Sequence, residues 1–274
     1  MISSINKYEK CALFFSSFYK QVASIKTLNH VVDVYDIIDT KMGCTSSLED
    51  NLNVVNTGCY HTSQDSPSNR MVFLDGNLYK SSLGFEAFHE AFVHPGMFAH
   101  LNGPMNVLLA TGGGDGGILR EVLKHNTVEH VVVFEPDAIL MNACKDHLPE
   151  LSDCSNLVGS SDGWCYNNAK VQVIHRQDFL TRFLNDEKDG TIDNYDIAIA
   201  DYSLLLSHES DKHLVWQVLK GILQDLNDDG ILILKLDKDK TSTLDLIQNV
   251  QNVNYGNIHC YDEVRILSYF LVYF

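Results

Sequence analysis

The stretch that decides the fold runs from Val107 to Asp137, VLLATGGGDGGILREVLKHNTVEHVVVFEPD. Val107, Leu108, Leu109 and Ala110 form a continuous apolar run of buried-strand type, and Ile118 to Lys124 carries a helical pattern. Between them Gly112, Gly114 and Gly117 fall in G-x-G-x-x-G spacing. Val131 to Phe134 is a second apolar run, and Glu135 closes it eighteen residues beyond Gly117. A lone glycine pattern says little. Strand, glycine turn, helix, strand and acid in succession say much more. The glycines let the chain turn sharply and a ligand approach the backbone, while the acid accepts ribose hydroxyls.

Asp115 narrows the ligand. It lies inside the turn, where a dinucleotide would set its pyrophosphate, and a carboxylate there repels phosphate. It suits a cation, such as the amine or sulfonium of an S-adenosylmethionine derivative. Asp178, just beyond the strand pattern Val171 to Ile174, falls where a side chain can meet an adenine amine.

Working outward, β and α patterns keep alternating. Asp196 to Ala200 and Ile231 to Leu234 read as strands, and Asp137 to His147, Phe179 to Leu184 and Lys212 to Leu226 as helices. One more helix is expected after Thr241, then two late strands near Asn257 to Tyr261 and Ser268 to Phe274. Apolar strands alternating with helices imply a parallel sheet covered on both faces, a Rossmann-like α/β domain. Ser152 to Asn168 reads as a long surface loop. Upstream, Phe85, Phe88 and Phe92 line one helical face, and Pro95 is expected to end or kink that helix.

The opening residues differ in character. Val31 to Ile38, Asn53 to Tyr60 and Arg70 to Lys80 are short β-type segments, and Asp75-Gly76 is a hairpin signal. His61 to Asn69 reads as a loop. Two domains are therefore expected: a small β-rich domain over 1–83 and a Rossmann-like domain over 84–274.

Composition sets the outer bounds. The 274 residues are 45% hydrophobic and 20% charged, ordinary for a globular protein, with no apolar run of membrane-spanning length. The N-terminal apolar patch Cys11 to Phe15 is too short for a secretory signal, so a cytoplasmic location is expected. A net charge of −16 argues against a nucleic-acid surface. The seven cysteines are scattered, without a C-x-x-C pair, and read as free thiols packed as small hydrophobes. His89, His94 and His100 do not share one helical face, so no metal is expected. Lys235 to Lys240 reads as a solvated charge run, and Ser203 and Ser207 lack the context of a hydrolase nucleophile.

The chain resembles the spermidine synthase family of polyamine aminopropyltransferases. The residues that carry the likeness are Leu74-Asp75-Gly76, His89-Glu90, Gly112 to Gly117, Ile118 to His125, Glu135, Asp137 and Asp178. The likeness runs from about residue 70 to 235. It implies a methyltransferase-type Rossmann domain behind a small β domain, decarboxylated S-adenosylmethionine as cofactor, a small amine as acceptor, and a homodimer or homotetramer. Carried over, Glu135 holds the ribose, Asp178 the adenine, and Asp115 and His89 the aminopropyl end. Asp201, closing the apolar strand Asp196 to Ala200, corresponds to the aspartate that binds the attacking amine and takes its proton.

The acceptor side departs from the family. Relatives carry Asp-x-x-Asp-Pro at Asp201, whereas Tyr202-Ser203-Leu204-Leu205 follows here. Phe88 replaces the tyrosine before His-Glu, and Tyr79 stands at the family's glutamine. Gly84 and Phe85 stand where an acidic pair is expected, and the loop between the last two strands is short. Asp262 and Glu263 read as an exposed turn. Tyr79, Phe88 and Tyr202 are the acceptor-side candidates. Three readings follow: an aminopropyltransferase with an altered acceptor, an S-adenosylmethionine-dependent methyltransferase on the same scaffold, and a non-catalytic relative.

Overall fold

A computed structural model describes residues 19–27, 30–37, 40–45, 58–63, 69–175, 194–201, 212–236, 258–262 and 269–273. The chain divides into two units, Met1–Leu83 and Gly84–Phe274.

In the first unit, β1 (Tyr19–Lys26), β2 (Val31–Ile37), β5 (Asn69–Leu74) and β6 (Asn77–Ser81) form an antiparallel sheet in the order β1-β2-β5-β6. β3 (Thr40–Thr45) pairs with β4 (Gly58–Ser63) as a separate antiparallel ribbon. The β5–β6 hairpin turns on Asp75 and Gly76, with φ of 50° and 78°, as a type I′ turn requires. Asp75 is held there by His30 and by the Val31 amide, and these hydrogen bonds lower its carboxyl pKa. Arg70 grips Asp36 on the neighbouring strand through two hydrogen bonds of 2.6 and 3.0 Å. The strand expected over 53–60 is observed as Gly58–Ser63, so part of the expected loop at His61 is strand; residues 46–57 lie outside the described ones.

The second unit is built on a seven-stranded sheet. Its strands are β7 (Asn106–Leu109), β8 (His130–Phe134), β9 (Val171–Ile174), β10 (Tyr195–Asp201), β11 (Leu226–Leu236), β12 (Ile258–Asp262) and β13 (Tyr269–Tyr273). Their order is β12-β13-β11-β10-β7-β8-β9. β7 to β11 run parallel, and β13 and β12 close the edge antiparallel. From β7 the chain steps outward through β8 and β9, then crosses back to β10 and β11. The switch point therefore lies between β7 and β10.

The two-residue period of a strand assigns the core. Val107, Leu109, Val131, Val133, Ile197, Ile199, Ile231 and Ile233 face one side. There they pack against α1 (Phe85–Ala99) and α2 (Gly117–Leu123). Leu108, Ala110, Val132, Phe134, Ala198, Ala200, Leu232 and Leu234 face the other, against Val215, Val218, Leu219 and Ile222 of α4 (Lys212–Gln224). Between β8 and β9 lies α3 (Ala138–His147), capped by the Asp137 carboxylate, which accepts from the Ile139 and Leu140 amides. At the amino ends of the strands Asp196 accepts from the Met105 and Asn106 amides and from Asn227, tying β7, β10 and β11 together.

Three expectations need correction. α1 continues through Pro95 to Ala99, because His89, Phe92, Val93, Gly96 and Met97 form a buried stripe at helical spacing on both sides of it. Pro95 itself lies on the exposed face, and the packing of the stripe outweighs its missing amide. The cysteines are not all free thiols: Cys154 and Cys165 form a disulfide. Nor is Ser152 to Asn168 only a surface loop. Ser152, Cys154, Cys165, Tyr166 and Asn168 are buried, and a 3₁₀ turn covers Cys165–Asn167. The expected helices over 179–184 and after Thr241 lie outside the described residues. Among the described residues no helix is long and apolar enough to cross a membrane.

A cross-link over so short a loop restricts the unfolded chain by roughly 3 kcal/mol. Replacing both Cys154 and Cys165 by Ser is expected to lower the unfolding free energy by about that amount in urea titrations. Reductant should shift the parent protein more than the double variant.

Candidate active site

The carboxyl ends of β7, β8, β10 and β11 gather the polar groups. After β7 the chain enters the glycine turn, where Gly112 and Gly116 adopt φ of 84° and 81°, left-handed conformations that favour glycine. The other glycines answer close approach. A Cβ on Gly114 would fall 2.8 Å from Glu135 Oε2, and one on Gly117 would overlap the His89 ring. The turn is thus a backbone cradle against which the side chains of Val133, Glu135, Ser152 and His89 pack closely. Tyr166, buried under it, donates its hydroxyl to the Gly113 carbonyl. Burial pushes that phenol well above its usual pKa, and the nearby Asp115 and Glu135 carboxylates add to this.

Asp115 and His89 are both fully buried, with Asp115 Oδ1 3.6 Å from His89 Nε2 and accepting from the Gly117 amide at 2.7 Å. Glu135, at the end of β8, is 7% exposed and accepts from the Asp137 amide at 3.0 Å. Desolvation raises its pKa to about 7, with the Asp137 and Asp115 charges adding to the effect and the Asp137 amide opposing it. Glu121, on α2 beside the turn, is also buried. Its burial pushes the carboxyl up, but hydrogen bonds from Lys124 and Arg120 outweigh this and hold it below the usual range.

Asp201 ends β10 across the switch point. Its amide donates to Thr111 Oγ1 at 2.8 Å, and the Thr111 hydroxyl donates back to the Asp201 carbonyl at 3.2 Å. These bonds fix Asp201 beside the first residues of the glycine turn. Its carboxylate accepts from Lys235 Nζ at 2.5 Å. Lys235 belongs to β11, in register with Asp201, and its Nζ lies 5.8 Å from the centre of the Phe88 ring. The expected solvated charge run is corrected at this residue: Lys235 is half-buried and committed to the site. Phe88 leans edge-on against His89, with ring centres 5.2 Å apart. A continuous set of contacts therefore runs Thr111, Asp201, Lys235, Phe88, His89, Asp115.

The structure brings together His89, Gly112, Gly114, Asp115, Gly117, Glu135, Phe88 and Asp201. Tyr79 lies on β6 in the first unit. Asp178 and Tyr202 lie outside the described residues, as do Ser203, Ser207 and Glu263. Sequence reading missed Thr111, Tyr166 and Lys235. Lys235 had a signal: Ile197-Ala198-Ile199-Ala200 ends in Asp201, and Ile231-Leu232-Ile233-Leu234 ends in Lys235. Neighbouring parallel strands of equal apolar length set their terminal charges side by side. Among the described residues no group of three or more His, Cys, Asp or Glu is placed to hold a metal ion.

The sheet order, the glycine cradle and the acids at the strand ends define a Rossmann-like domain of the methyltransferase type. The profile of the family described as "Spermine/spermidine synthase domain" matches residues 85–264, and the chain belongs to this family. It is similar to polyamine aminopropyltransferases of Methanocaldococcus jannaschii, 33% identical over 66% of this chain, and Clostridium kluyveri, 47% identical over 30%. The matched stretches span 55% and 30% of those relatives. Among solved structures, a spermidine synthase in complex with the transition state analogue AdoDATO aligns with a TM-score of 0.62 at 19% identity. That of Thermotoga maritima aligns with a TM-score of 0.60 at 18% identity, and each alignment covers 93% of this chain and 72% of the other. The fold expectation is met.

Glu135 supplies a stability prediction. A carboxyl near 7 in the folded chain and near 4.5 unfolded binds its proton more tightly when folded. The contribution of Glu135 to folding stability is then fully present below about pH 4.5 and is lost as pH rises to about 7, by roughly 3 kcal/mol in all. Glu135→Gln removes the ionisation. In ligand-free protein the variant should gain on the parent by about 2 kcal/mol more at pH 8 than at pH 5, read from urea titrations.

Proposed function

We propose that the chain transfers an aminopropyl group from decarboxylated S-adenosylmethionine to a small amine, at an acceptor site altered from that of its relatives. The observation that carries this reading is the arrangement of buried Asp115, Glu135 and Asp201 around the glycine turn at the switch point. These residues fit a sulfonium nucleoside: a backbone surface for the adenosine, a carboxylate for its hydroxyls and further carboxylates for a cationic tail. The donor supplies a carbon already activated by sulfonium, so alignment of the attacking amine is the main requirement.

In this reading Gly112 and Gly114 admit the nucleoside, Glu135 accepts the ribose hydroxyls, and Asp178 meets the adenine. His89, Gly117 and Asp115 define the place of the aminopropyl end. Asp201 orients the acceptor amine and accepts its proton as the N–C bond forms and the C–S bond breaks, releasing methylthioadenosine. Phe88, Tyr79 and Tyr202 are the acceptor-side residues. The 84–274 unit is then the catalytic domain and 1–83 its small β domain. We further propose that the protein works in the cytoplasm as a homodimer or homotetramer, without metal, nucleic acid or membrane.

Thermal stabilisation by four ligands tests the donor. Decarboxylated S-adenosylmethionine and methylthioadenosine should stabilise the protein, by about 2.7 kcal/mol at a hundredfold excess over Kd. A preference for S-adenosylmethionine and S-adenosylhomocysteine would instead support methyl transfer, and silence from all four would support a non-catalytic relative. Methylthioadenosine affinity should fall up to tenfold per unit below about pH 7, because the diol needs ionised Glu135. A pH-independent affinity would remove Glu135 from the ribose. In amine-panel assays Asp201→Asn should lower kcat by about 10²–10⁴-fold with the fold intact by circular dichroism. An unchanged rate would take Asp201 out of the mechanism.

A further inference from the structure

Lys235 occupies ground that the proposed chemistry reserves for substrate. Its Nζ sits 2.5 Å from Asp201 Oδ2, on a carboxylate whose side chain is 10% exposed, with the Phe88 ring on its other side. The Lys235 side chain is 24% exposed, and in so partly buried a pair charges a few ångströms apart act on one another more strongly than in bulk water. An incoming ammonium meets a carboxylate already matched by a cation, and meets the repulsion of that cation as well. Leu204 stands where relatives carry the second carboxylate of the Asp-x-x-Asp-Pro pattern. A neutral amine meets no such barrier, and a neighbouring positive charge favours the unprotonated amine that is able to attack.

We infer that Lys235 is a specificity-determining residue: a resident cation on Asp201 that turns the site against dicationic diamines and towards acceptors with one amino group. The inference rests on the proposed role of Asp201 and names the acceptor class for that same site. Lys235 contributes through charge and position, taking no proton and making no bond.

The test is calorimetric binding of 1,4-diaminobutane and 1-aminobutane, with and without methylthioadenosine, to the full chain and its variants. The parent protein and Lys235→Arg should bind the diamine no tighter than the monoamine. Lys235→Gln and Lys235→Met should each bind the diamine at least tenfold tighter than the parent, and adding Asp201→Asn should remove the gain. A parent protein that already prefers the diamine tenfold overturns the inference, a result that needs no variant to fold. So does an unchanged diamine affinity in Lys235→Gln, or a gain that survives Asp201→Asn. Aminopropyl transfer, assayed in parallel, reports separately. Its absence with both amines in every protein sinks the functional reading, while the binding series still decides what Lys235 does.

Discussion

Five carboxylates are buried among the described residues of the Rossmann-like unit, in a chain with a net charge of −16: Asp115, Glu121, Glu135, Asp137 and Asp201. Burying an ionised carboxylate is unfavourable by several kcal/mol unless it is hydrogen-bonded or paired, so each has to be answered locally. Asp137 is answered by two amides of the helix it caps. Glu121 takes Lys124 and Arg120 and stays ionised. Asp115 has the Gly117 amide and the His89 ring, and Asp201 has Lys235. Glu135 has one amide and is driven towards neutrality. Glu135 is also the acid that packs against Gly114, where a Cβ would lie 2.8 Å from its Oε2.

This constraint explains features that look unrelated. The His89 ring can lie beside Asp115 only because Gly117 has no Cβ, and Glu135 can approach the turn only because Gly114 has none. α1 runs unbroken past Pro95, which keeps Gly96 and Met97 in the buried stripe begun by His89, Phe92 and Val93. The disulfide and Tyr166 brace the underside of the turn, where Gly113 offers a carbonyl. Stability and ligand geometry therefore meet in the same few residues.

What could be read in the sequence follows from which physics is periodic. Strand and helix patterns repeat every two residues or every three to four, so β7, β8, β10 and the core faces were legible. The acids Glu135 and Asp201 were legible because they end apolar runs. Pairings between distant residues leave no such trace. Cys154 and Cys165 look like any two cysteines in a polar stretch, and Tyr166 like any loop aromatic. The extent of α1 was misread because proline's local preference is visible in sequence, while the packing that overrides it is tertiary. Lys235 was misread by grouping it with the charges that follow instead of the strand that precedes it.

Lys235 also bears on the altered acceptor site proposed for this chain. A dication-binding site needs acids on it, and an acid left without its substrate in a buried place destabilises the fold. Phe88 carries no charge that needs an answer, but Asp201, fixed to Thr111 by two hydrogen bonds, still carries one. If that carboxylate is retained for proton transfer while the diamine is given up, some other cation has to balance it. β11 lies next to β10 in register, so its terminal position is a natural place for one. A lysine there holds the aspartate in place through a 2.5 Å hydrogen bond. On this argument the ion pair with Lys235 balances Asp201 from within the chain, through a strand neighbour in register with it.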